Sequence, residues 1–89
     1  HNILEACVYK TPVIIGKNYS GFIEAEDLVE LGGVVSVKDY NEFKIALENL
    51  INNKDIFQNK VKIISDYINS KLGALSIIQN EIKNEKNNT

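Results

Sequence analysis

The chain has no methionine, no tryptophan and no arginine in its 89 residues, and only one proline, one cysteine and one histidine. Each scarcity excludes something. Without arginine no guanidinium fork can grip a phosphate through two parallel hydrogen bonds, so an anionic ligand must be held by backbone N–H groups or by lysine. A single cysteine, Cys7, cannot close an internal disulfide, and nothing argues for an oxidising compartment; a cytoplasmic setting is expected. With one histidine, the interleaved imidazole and thiolate ligands of a zinc site are missing, so no metal is expected. No apolar run approaches the roughly 18 residues that cross a bilayer, and no signal peptide opens the chain. The net charge of −2 gives no electrostatic argument for a nucleic-acid partner. A chain that opens on His1 and lacks methionine reads as a processed product or a fragment, and its length allows one domain or less.

What is present is organised around the first sixteen residues. His1 to Lys10 reads as a short helix, Thr11-Pro12 as a turn, and Val13 to Ile15 as a strand closed by Gly16. The amino end of such a helix turns unpaired N–H groups and a positive dipole end toward a ligand crevice. Asn2 sits where a capping side chain faces either the backbone or a ligand, and Glu5 lies one turn on. Cys7 falls with Leu4 and Val8 on the buried side and reads as a small hydrophobe, since no base or orienting partner accompanies it. Lys17, Asn18 and Tyr19 follow the carboxyl end of the strand, the edge at which open α/β sheets bind ligands.

Further along, Phe22 to Leu31 predicts a helix with Glu24, Glu26, Asp27 and Glu30 on its wet face, ended by Gly32-Gly33 with one glycine in the left-handed cap. Val34 to Val37 predicts a second strand. Asp39 and Glu42 stand at capping-box spacing before a helix with Phe43, Ala46, Leu47, Leu50 and Ile51 on one stripe, stopping at Asn52-Asn53. Asp55 is expected to cap a helix from Ile56 to about Leu72, interrupted at Gly73 and followed by a last helix, or the same one bent, to Ile82. The polar residues 83–89 are expected to fray.

Strands alternating with helices argue for an α/β class with short parallel strands and several helices. Two strands make a narrow sheet, so the expectation is the carboxyl-terminal part of a Rossmann-like domain, residues 1–82, whose earlier strands lie elsewhere. An unpaired edge on the Val13 to Ile15 strand in such a piece predicts self-association through it or poor stability.

His1-Asn2-Ile3-Leu4-Glu5, then Pro12-Val13-Ile14-Ile15-Gly16, Asn18-Tyr19, Phe22, Glu24-Ala25, Leu28 and Gly32-Gly33 together resemble the distal part of the bacterial 3-deoxy-D-manno-octulosonic acid (Kdo) transferases. The family pattern runs H-N-x-L-E-P-A, G-x-P-V-I-x-G-P-N-Y, then F-x-E-A-x-x-L and a glycine pair. The likeness covers about residues 1 to 38, and Ala6 and Lys17 replace family prolines. It implies a two-Rossmann-domain (GT-B) glycosyltransferase, needing no cofactor, that moves Kdo from CMP-Kdo to a lipid A precursor at the cytoplasmic face of the inner membrane. By that likeness Asn2, Glu5 and His1 contact the donor nucleotide, with Glu5 accepting from ribose hydroxyls, and Asn18 and Tyr19 line the cleft. The catalytic base, the acceptor site and the membrane contact would lie in an amino-terminal domain outside this chain, so no catalytic residue is expected here. Two other readings fit the same residues: a GT-B transferase for a UDP- or ADP-sugar, and a non-enzymatic helical interaction module.

Overall fold

The computed structural model of the chain describes residues 11–87. Two short strands, β1 (Val13–Gly16) and β2 (Val34–Val37), are joined by helix α1 (Ile23–Leu31). Helices α2 (Tyr40–Asn52) and α3 (Lys54–Asn87) follow. The strands pair in parallel, with Val13 opposite Val34, Ile14 opposite Val35, Ile15 opposite Ser36 and Gly16 opposite Val37. β-branched side chains stiff at χ1 make this run extended, and a parallel pair needs the crossover that α1 supplies.

Alternation along the strands sorts their side chains between two faces. Val13, Ile15 and Val34 pack with Leu28 and Val29 of α1 and with Ile64, Tyr67 and Ile68 of α3. Leu28 and Ile64 are fully buried at the centre of this cluster. Ile14, Val35 and Val37, on the opposite face, are only half-buried. Strands in parallel sheets are normally covered on both sides, so this is a half-dressed sheet. The class is therefore α/β, mostly helical, with two short parallel strands; the described residues hold no wider sheet.

The glycine pair that ends α1 does two jobs. Gly32 takes φ 84°, and a left-handed residue there lets its N–H donate to the Val29 carbonyl while the Gly33 N–H reaches Leu28, the paired bonds of a Schellman turn. Gly33 serves close approach instead: a Cβ on it would lie 2.8 Å from Cγ2 of Ile63 and 3.2 Å from Cγ1 of Ile64. Lys60 extends across the same seam, its Nζ donating to the Gly32 carbonyl at 2.6 Å, where a cation meets the negative end of α1. These contacts, with Tyr67 on Asp27, run α3 antiparallel along α1.

Asp39 caps α2 as its spacing predicts, Oδ1 accepting from the Glu42 N–H at 2.9 Å. Glu42 reaches back one residue further than a regular capping box, taking the N–H of Lys38 at 2.9 Å. The expected apolar stripe of α2 is mostly uncovered: Leu50 is buried, whereas Phe43, Leu47 and Ile51 are exposed.

Three expectations for the carboxyl-terminal helix are corrected. Its cap is Asn53, not Asp55. Asn53 Oδ1 accepts from the N–H of both Asp55 and Ile56, while its own N–H closes α2 on Asn49, so one residue joins the two helices. Gly73 does not interrupt α3; the backbone stays helical through it, since one glycine costs only about 1 kcal/mol against many intact hydrogen bonds. The helix also continues to Asn87, past the point where polar composition predicts fraying. Residues 69 to 83 are exposed throughout.

Candidate site at the carboxyl end of the first strand

Pairing β1 and β2 in parallel puts the loop 17–22 at their shared carboxyl-terminal rim, as the sequence predicts. The loop is built from within. Gly21, at φ 90°, turns the chain into α1 and gives its N–H to Oε1 of Glu26 at 2.8 Å. The Phe22 N–H donates to the Tyr19 carbonyl at 3.1 Å. Phe22 starts α1 without a side-chain cap, and the reach of Glu26 to Gly21 takes over that function. Two N–H groups that could have faced an anion are thereby consumed, and Glu24 and Glu26 offset the positive end of the helix.

Beside this loop lies a hollow of about 440 Å³ walled by Lys17, Tyr19, Ser20, Glu26, Val29 and Glu30. Tyr19 is half-buried and Lys17 exposed, and Glu26 and Glu30 stand on the same wall. The wall offers hydroxyl and carboxylate acceptors with one cation, a lining suited to a polyhydroxylated ligand with limited negative charge. Of the two cleft residues taken from the sequence, Tyr19 stands on the wall; Asn18 is exposed and does not line the hollow. His1, Asn2, Glu5 and Cys7 lie outside the described residues.

A larger hollow of about 530 Å³ opens between β2, α2 and the start of α3, lined by Val35, Val37, Ile45, Ala46, Leu50 and Ile56 with Glu42, Asn49 and Lys60 at its margin. It is the uncovered second face of the sheet, and its only lysine is already held on Gly32. Among the described residues no cluster of histidine, cysteine, aspartate and glutamate could hold a metal ion, and no helix is long and apolar enough to cross a membrane.

One polar contact was not legible in the sequence. Asp27, assigned by helical spacing to the wet face of α1, accepts from the Tyr67 hydroxyl at 2.9 Å across the α1–α3 seam. Burial first, then the bond to Asp27 and the charges of Asp27 and Glu24, push the Tyr67 phenol up to about 12. Lys71 Nζ sits 5.4 Å from the centre of the same ring. The phenol is neutral at physiological pH and donates across the seam. Forty residues separate the partners, beyond any local pattern. No family model, curated protein or solved structure matches the chain.

Proposed function

We propose that the chain is the distal piece of the Rossmann-like donor domain of a GT-B glycosyltransferase that moves Kdo from CMP-Kdo onto a lipid A precursor. The observation that carries the reading is the β1–α1–β2 unit, whose parallel register sets the loop after Gly16 and the Tyr19 hollow on one rim. The residue pattern His1-Asn2-x-x-Glu5 and Pro12 to Tyr19 supplies its second support. In this reading Asn2 and Glu5 hold the nucleotide, Glu5 accepting from the vicinal ribose hydroxyls, and His1 approaches the donor's anionic groups. Tyr19 lines the sugar side of the cleft. The half-covered sheet and the exposed stripe of α2 are surfaces that the remainder of such an enzyme would bury. The catalytic base and the acceptor and membrane contacts belong to that remainder, and the 89-residue chain is inactive alone.

The extent of exposed apolar helix favours a second reading, an interaction module with no chemistry. One experiment separates them. In the full-length protein, Glu5→Ala lowers CMP affinity by about tenfold while the melting temperature stays unchanged, as loss of a charged acceptor predicts. Equal CMP affinity in wild type and variant would remove the donor reading.

A further inference from the structure

From Phe57 onward α3 carries a heptad seam: Phe57, Val61, Ile64, Ile68, Lys71, Leu75, Ile78 and Ile82 fall at alternating four- and three-residue steps, broken only by Lys71. The first half of that seam is spent on the core, with Ile64 buried and Ile68 packed against the cluster. The second half is not. Leu75, Ile78 and Ile82 are 50%, 52% and 49% exposed, and Leu72 beside them is 58% exposed, with nothing among the described residues over them. From Leu72 to Asn80 the helix bears no charge; Lys71 closes the stripe at one end and Glu81 at the other.

We propose that this stripe docks a second copy of the chain, antiparallel, over residues 71–82. A twofold axis between Ser76 and Ile77 sets Leu75 against Ile78 of the other copy and brings Lys71 beside the other copy's Glu81, twice by symmetry. A parallel pair would instead stack lysine on lysine and glutamate on glutamate, so the charge order selects the antiparallel arrangement. A cation at one seam position fixes register in the same way that buried polar residues do in coiled coils. Half-exposed leucine and isoleucine side chains leave on the order of 400 Å² of apolar surface per copy, and the roughly 800 Å² so hidden falls below the about 1,200 Å² of stable interfaces. The dimer is accordingly weak, with a dissociation constant on the order of 100 µM. This inference does not rest on the transferase reading.

Sedimentation equilibrium of the 89-residue chain from about 10 to about 500 µM tests it, with far-UV circular dichroism to verify the fold. Wild type is expected to pass from monomer to dimer in that range. Ile78→Lys, outside the core, is expected to raise the dissociation constant by at least about tenfold. Lys71→Glu and Glu81→Lys each weaken the dimer several-fold, and the double variant recovers it, since both cross-pairs are then restored with reversed sign. A chain monomeric at the top concentration overturns the proposal and leaves the stripe to a partner of different sequence. So does association that survives Ile78→Lys, which would run through the free edge of β1. A double variant no tighter than either single change overturns the antiparallel register.

Discussion

Replacing Gly33 with alanine asks how tightly α3 is pressed onto the start of β2. The new methyl would meet Ile63 Cγ2 at 2.8 Å and Ile64 Cγ1 at 3.2 Å. Neither neighbour yields easily. A β-branched side chain in a helix is confined to one χ1 rotamer, so Cγ2 of Ile63 cannot swing aside, and Ile64 is 1% exposed in the centre of the core. Relief must come from shifting α3, which also strains the Lys60 bond to the Gly32 carbonyl and the Tyr67 bond to Asp27. Overpacking of this kind costs about 1–3 kcal/mol, whereas alanine in an open position would gain a few tenths from reduced backbone freedom. For a chain of this length the loss corresponds to roughly 4–8 °C in melting temperature per kcal/mol. Urea denaturation followed by circular dichroism gives the value directly. A Gly33→Ala variant as stable as wild type would refute the close packing of α3 on the glycine pair.

Gly73 is the matched control: no atom lies within 4 Å of its added Cβ, so Gly73→Ala should stabilise α3 by about 0.5–1 kcal/mol, seen as higher helicity and a higher denaturation midpoint. Tyr67→Phe should cost about 1 kcal/mol through the lost bond to Asp27, and Asp27→Asn, which keeps an acceptor, should cost less by the same denaturation measurement. Because the folded state raises the Tyr67 phenol to about 12, its contribution is complete below the unfolded value near pH 10 and fades as pH climbs to about 12. A spectrophotometric titration should therefore show a phenol ionising near pH 12, and Tyr67→Phe should remove that late step.

Much of the fold was legible because its signals are local. The β-branched runs Val13 to Ile15 and Val34 to Val37 mark the strands, the pair Gly32-Gly33 a left-handed cap, and Asp39 with Glu42 the start of α2. What escaped depends on contacts distant in sequence. The second glycine is required by Ile63, thirty residues away, and Asp27 reads as solvated until α3 brings Tyr67 to it. Asn53 lost to Asp55 because both are good capping residues two positions apart, and only the orientation of Oδ1 toward Asp55 and Ile56 decides between them. The stripe of α2 is periodic as read, yet only Leu50 of its large apolar residues is buried, since periodicity records a face and not what lies against it. The position of the loop at the strand's carboxyl end was legible from the strand alone; that Tyr19 and not Asn18 lines the hollow was not, because a side chain's direction in a turn has no sequence period.

Nucleotide titration of the full-length protein by calorimetry tests the donor-domain account most directly. CMP should bind at least about tenfold tighter than UDP or ADP, and Glu5→Ala should lower CMP affinity by about tenfold through loss of the ribose acceptor. Preferential binding of UDP or ADP, or no binding of any of the three, would contradict it.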